Sequence, residues 1–174
     1  MRVIGFAGFS GAGKTTLIVR LIPELIRRGF SVSTIKHAHH GFDLDQPGKD
    51  SYAHRTAGAH EVLVASANRL ALMRELRGAP EPSLAELLCL LSPVDLVLVE
   101  GFKRDSLPKI EVYRAANLKP ALHPQDGSIV ALISDCADPS SRLPHASIDD
   151  IPAAADLVLA HAAPIADVLA RLEG

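Results

Sequence analysis

Cysteine is scarce in this chain of 174 residues, and the two present, Cys89 and Cys136, have no C-x-x-C spacing. That excludes a zinc ribbon and a disulfide framework, and it fits a reducing cytoplasm. Charge of one sign is lacking as well, since the formal net charge is -2 and the pI is near 6.4. So even a balance carries no electrostatic footprint of a nucleic-acid binder or a membrane-surface protein, and points instead to a small or protein partner. No apolar stretch reaches the roughly 18 uninterrupted residues that a membrane span needs. The N-terminus lacks the charged n-region and cleavage site of a signal peptide, and glycines break its hydrophobic run at once. Internal repeats and low-complexity tracts are absent too.

What is there is core material. With 48% hydrophobic residues, a chain of this length makes one compact domain, expected to span residues 1–174. Val3 to Ala7 is short and apolar, a glycine-rich turn follows, and Thr15 to Arg28 carries leucines and isoleucines at helical spacing. Pro23 is expected to kink that helix and Gly29 to end it. Ser31 to Lys36 alternates in β-branched residues, completing a βαβ unit. His37 to Gly48 is a polar loop, and a short helix is expected from Asp50. Glu61 to Ser66 and Leu70 to Leu76 read as an antiparallel hairpin. Ser83 is placed to cap a helix from Leu84 to Leu91. Leu96 to Val99, Ile110 to Tyr113 and Ile129 to Ile133 read as further strands. Asp135 to Pro152 is turn-rich, and a last helix is expected from about Ala162 to Leu172. Strands alternating with helices indicate an α/β fold with a parallel-dominated central sheet flanked by helices and an antiparallel hairpin extension.

Gly8-Phe9-Ser10-Gly11-Ala12-Gly13-Lys14-Thr15 matches G-x-x-x-x-G-K-[ST] in full, between a predicted strand and a helix start, as a P-loop requires. Glycines let the backbone curl so that successive N–H groups face phosphate oxygens, and the helix N-terminus adds roughly half a positive charge. Gly8, Ser10, Gly11, Ala12, Gly13, Lys14, Thr15 and Thr16 are therefore the expected contacts of a purine nucleoside triphosphate. Lys14 brings a full charge to the β- and γ-phosphates. Thr15 offers its hydroxyl to Mg²⁺, which prefers oxygen ligands and needs a carboxylate to complete its protein set. Glu100, ending the run Leu96-Val97-Leu98-Val99, is the candidate, with Asp95 as its rival. A strand rises about 3.3 Å per residue, so the two lie about 16 Å apart. Ligands sit beyond the carboxyl ends of parallel strands, which favours Glu100 as the metal ligand.

The P-loop, the segment His37-Ala38-His39-His40-Gly41-Phe42-Asp43-Leu44-Asp45-Gln46-Pro47-Gly48-Lys49-Asp50-Ser51 and Val99-Glu100-Gly101-Phe102-Lys103 together resemble the molybdopterin-guanine dinucleotide biosynthesis protein B family, MobB. Pro108-Lys109-Ile110-Glu111-Val112 and Ile133-Ser134-Asp135 extend the likeness over nearly the whole chain. The resemblance implies a GTP-binding, Mg²⁺-dependent protein with weak GTPase activity, usually a homodimer. It further implies an adaptor beside a MobA-type molybdopterin guanylyltransferase, the enzyme that joins GMP to molybdopterin, with molybdopterin itself a candidate ligand.

Within the matched segment, Asp43, Asp45 and Asp50 have the chemistry to orient water or a metal-bound water near a γ-phosphate. Asp45 and Asp50 join Lys14 as catalytic candidates, although Asp50 also suits the cap of the following helix and Asp43 a turn. Lys49 is a candidate phosphate contact. His37, His39 and His40 raise a metal site, but alternation in an extended segment puts only His37 and His39 on one face. Asn117-Leu118-Lys119-Pro120 does not reproduce the guanine-reading Asn-Lys-x-Asp. Asp135 is the alternative acceptor for the base. Two other classes stay open: a small-molecule kinase, for which the sequence has no clear arginine-rich lid segment although Arg69, Arg74 and Arg77 keep the idea open, and a nickel metallochaperone, which Cys89 and Cys136 support poorly.

Overall fold

The computed structural model describes residues 1–38, 41–136 and 141–173. Packing divides them into two compact units, Met1–His37 with Leu84–Gly174, and Ala38–Ser83.

In the first unit, β1 (Arg2–Ala7) leads through the glycine-rich turn into α1 (Lys14–Arg27), and β2 (Val32–Lys36) follows. After α3 (Leu84–Cys89) come β5 (Leu96–Glu100), β6 (Lys109–Tyr113), β7 (Ile129–Ser134), β8 (His145–Ser147), α4 (Ile151–His161), β9 (Ala163–Pro164) and α5 (Ile165–Leu172). The seven strands lie in the order β2-β5-β1-β6-β7-β8, with β9 beside β1. All pairings are parallel except β9, which runs antiparallel to Arg2 and Val3. β6 pairs with the other end of β1, from Gly5 to Ala7.

Successive strand residues point to opposite faces, and the burial follows that period. Ile4, Phe6, Leu96, Leu98, Ile110 and Val112 pack with Leu17, Leu21 and Leu25 of α1 and with Ala154, Ala155 and Val158 of α4. Val3, Val97 and Val99 pack instead with Leu84 and Leu88 of α3 and Val168 of α5. Burying each of the larger of these side chains, Val, Leu, Ile or Phe, contributes roughly 1.5–3 kcal/mol, and the packed layers so formed support the strand ends. α1 continues through Pro23, and the Gly29 N–H then closes on the Ile26 carbonyl at 2.9 Å.

The C-terminal third departs from expectation. The turn-rich segment contains β8 and α4, and the last helix begins at Ile165 rather than near Ala162. α4 starts where the Asp150 carboxylate accepts from the Ala153 N–H at 3.1 Å. Its alanine-rich body has no one-sided apolar stripe to betray it, and Pro152 in its first turn reads as a breaker although that position tolerates proline. Ala163 and Pro164 are held extended by pairing with β1, which separates α4 from α5.

The second unit holds α2 (Asp50–Thr56) and an antiparallel hairpin of β3 (Glu61–Ala65) and β4 (Leu70–Arg74), with Val64 opposite Ala71 in register. Among the described residues no helix is long and apolar enough to cross a membrane.

Candidate functional site

The loop between β1 and α1 curls against β6. At Gly8, φ is 148°, and a Cβ there would stand 2.5 Å from the Val112 carbonyl oxygen. No side chain fits without moving β6, which is why the chain needs glycine here. α1 then begins at Gly13 with no side-chain cap and no acidic residue in its first turn. The residue types that would otherwise occupy those amides are missing, so the positive end of the helix is left for an anion.

Lys14 turns back over the loop and donates to the Gly8 and Phe9 carbonyls, both at 3.0 Å. Burial pulls its pKa below that of an ordinary lysine; the charge of Glu100 opposes this, and Lys103 and Lys36 add to it. An ammonium held this way gains from an arriving anion.

Parallel register brings the second half of the site together. Phe6 of β1 and Lys36 of β2 both lie level with Glu100 of β5. Thr15 Oγ1 donates to Glu100 Oε1 at 2.9 Å and lies 3.2 Å from Oε2. A hydroxyl beside a carboxylate is an all-oxygen donor set of the kind Mg²⁺ prefers, so the residues fit the ion. Asp95 sits at the opposite end of β5, where its carboxylate accepts from the Ser31 N–H at 2.8 Å and the Ser31 hydroxyl at 2.6 Å. The approach of β2 to this corner depends on Gly101, with φ 106°, whose absent Cβ would lie 2.8 Å from that of His37.

Several neighbours of the loop escaped the reading of the sequence. Lys36 Nζ lies 3.4 Å from Thr15 Oγ1 and 3.8 Å from Glu100 Oε2. Lys103 Nζ sits 5.2 Å from the centroid of the Phe9 ring. Asn117, in the 3-10 turn Ala115–Asn117, donates through Nδ2 to the Ser10 carbonyl at 3.0 Å. Arg114 stacks on the loop so closely that a Cβ on Gly13 would meet its Nε at 3.1 Å. Each stands at or just past the carboxyl end of a strand, the one signal that would have found them. Asp135 reaches the same end of the sheet, where its Oδ1 accepts from the Ala115 N–H at 3.0 Å.

Two buried charges hold the segments that carry these neighbours. Lys109 is 2% exposed and donates to the Lys103 carbonyl at 2.7 Å and the Asp105 carbonyl at 3.1 Å, while pairing with Asp126 at 2.9 Å. Glu111 is 1% exposed and accepts from the Leu122 N–H at 2.6 Å and the His123 N–H at 2.9 Å.

This strand, loop and helix, with an acidic strand end facing them, have close relatives. The family model described as molybdopterin guanine dinucleotide synthesis protein B matches residues 3–135. The chain belongs to the MobB family. The molybdopterin-guanine dinucleotide biosynthesis adapter protein of Escherichia coli K12 is 45% identical over 136 residues, covering 76% of this chain and 78% of the relative. That of Haemophilus influenzae is 45% identical over 121 residues, covering 68% of this chain and 66% of the relative. The crystal structure of Bacillus subtilis MobB superposes with a TM-score of 0.72 at 28% identity, covering 93% of this chain and 98% of that one. The fold is accordingly that of the MobB P-loop NTPases.

The remaining candidates of this MobB chain lie in the second unit. Asp45 is engaged locally: its Oδ1 accepts from the Ser51 hydroxyl at 2.8 Å and the Gln46 N–H at 3.0 Å, and its Oδ2 is 3.5 Å from Arg55 Nε. Asp43 accepts from the Asp45 N–H at 2.9 Å and from Arg55 at 2.6 Å. Asp50 is the first helical residue of α2, after Lys49 at the cap position, and both are exposed. A cavity of about 670 Å³ within this unit is lined by Phe42, Asp43, Leu44, Arg55 and Glu75, among others.

Of the three candidate histidines, His39 and His40 lie outside the described residues; among the described residues no group of three or more His, Cys, Asp or Glu side chains is placed to hold a metal. Of the lid candidates, Arg74 pairs with Glu61 and Arg77 donates to the Ala59 and Arg55 carbonyls at 3.1 and 3.3 Å.

Proposed function

We propose that this MobB-family chain binds GTP with Mg²⁺ at the P-loop and acts as an adaptor in molybdopterin-guanine dinucleotide biosynthesis, beside a MobA-type guanylyltransferase in the cytoplasm. The observation that carries the nucleotide site is the pairing of Thr15 with Glu100 directly beside an uncapped helix start. In this reading Thr15 and Glu100 hold the metal, and Lys14 exchanges two neutral carbonyls for phosphate. The ion, once bound, supplies neutralisation of the triphosphate charge. Ser10, Gly11, Ala12, Gly13 and Thr16 contribute backbone amides and the helix dipole. Asp135 serves as the acceptor for the guanine edge, supported by its position at the end of β7 beside the turn that carries Asn117.

The adaptor role rests on family membership and on the names of the 45% identical relatives. Slow hydrolysis, with Asp45 and Asp50 orienting water, Lys49 on a phosphate, a homodimer and direct contact with molybdopterin are parts of the same proposal. The slow hydrolysis, the homodimer and the pterin contact follow from the resemblance, and the roles of Asp45, Asp50 and Lys49 from their chemistry in the loop after β2.

A competition titration of GTP against ATP in Mg²⁺ tests both the site and the base preference. Displacement of a bound fluorescent nucleotide by GTP at lower concentration than ATP is expected. Equal displacement would remove the assignment of the base to Asp135, and binding of neither would overturn the nucleotide site itself.

A further inference from the structure

Glu100 is a carboxylate with a side chain only 13% exposed, and such a group requires a counter-charge when no metal is beside it. Lys14 acts on Glu100 through its charge, but its hydrogen bonds go to the Gly8 and Phe9 carbonyls. The cation that reaches the Thr15–Glu100 pair is Lys36, 3.4 Å from the hydroxyl and 3.8 Å from the carboxylate. Strand pairing puts it there, because Lys36 and Glu100 are direct neighbours across β2 and β5.

We propose that Lys36 is the resident counter-ion of the Thr15–Glu100 pair and competes with the divalent cation for it. The inference rests on the assignment of these two residues as metal ligands. An ammonium has three donors and no lone pair, so it cannot join a metal's coordination shell. At this range it repels a divalent ion and engages the Thr15 hydroxyl oxygen that the ion would use, so the ion enters when the ammonium leaves. Leaving is easy, because the Lys36 side chain is 58% exposed and an exposed pair of this kind is weak.

The consequence is an order of loading. A free divalent ion must displace Lys36 into water, gaining one carboxylate and one hydroxyl for the loss of an ion pair. An ion that arrives on a triphosphate brings anionic oxygens that can receive the displaced ammonium. Lys36 therefore favours metal that comes with nucleotide over metal that comes alone.

Titration of the nucleotide-free full chain with Mn²⁺, followed by the loss of its free paramagnetic resonance signal at low salt, tests this. Lys36→Met is expected to bind Mn²⁺ roughly two- to fivefold tighter than the parent chain, the range of an exposed ion pair. Lys36→Gln should do the same, which guards against a packing defect in either variant. Lys103→Met, which removes an equal charge from beside Phe9, should gain clearly less. An unchanged or weaker affinity in both Lys36 variants, or an equal gain in Lys103→Met, would overturn direct competition. Glu100→Gln should lose the Mn²⁺ site. If it binds like the parent, the metal assignment itself fails, and the competition with it.

Discussion

Thr15 and Glu100 stand 85 positions apart in sequence, yet the threonine hydroxyl donates to the glutamate carboxylate at 2.9 Å. Two parallel strands of one register, β1 and β5, make that meeting possible. The first delivers the loop that ends at Thr15 and the second delivers Glu100 at its own carboxyl end.

Removing either end of β5 should therefore have different effects. Glu100→Ala is expected to weaken Mg²⁺-dependent nucleotide binding by about tenfold or more, the scale of a charged hydrogen-bonding group. Asp95→Ala should leave that dependence intact and lower stability modestly, since Asp95 fastens Ser31 at the far end of the strand. Calorimetric titrations with and without Mg²⁺, with urea denaturation alongside, distinguish the two; the opposite order would reverse the orientation assigned to the site.

Lys14→Ala should abolish nucleotide binding while the fold, read by circular dichroism, persists. The pH dependence carries a sign as well. Burial lowers the pKa of Lys14 from 10.5, so the free protein loses this charge at a lower pH than a solvated lysine does. Affinity for nucleotide is expected to fall as pH rises through that lowered value, and binding in the same range should take up protons. Calorimetry in two buffers of different ionisation enthalpy measures the uptake; no proton linkage below 10.5 would contradict the account.

Lys109→Met should cost about 3–5 kcal/mol in urea denaturation, because it leaves Asp126 and the Lys103 and Asp105 carbonyls without their cation. Burial alone would raise the pKa of Asp126, but hydrogen bonds from Ser128 and Lys109 outweigh it and hold the value below 3.8. A depressed carboxylate contributes stability that is present above its unfolded pKa and lost as pH falls through the folded one. Stability should therefore drop below about pH 4, and Asp126→Asn should flatten that limb. An unaltered acid limb in the variant would remove Asp126 from the explanation.

Much of this was legible from the chain alone where local signals agree. The P-loop lies between an apolar strand and a periodic helix, and the break from Ala67 to Arg69 announces the hairpin of β3 and β4. α4 stayed hidden because Ala153, Ala154 and Ala155 carry no directional stripe, and its cap at Asp150 follows a turn-rich tract. Lys109 and Glu111 read as ordinary strand residues. Their burial follows from the position of β6 between β1 and β7, which no local pattern reports.

The residues themselves determined the phosphate loop, since a glycine-rich turn with a following lysine and threonine specifies its own backbone curl and charge. They also determined the alternation of strands and helices that makes the sheet parallel. Strand direction already favoured Glu100 over Asp95; only the tertiary structure decided which lysine accompanies it, and that Arg114 and Asn117 border the loop. Those relationships arise from the order and register of strands far apart in the chain, and contacts set by register are invisible to any pattern read along one segment.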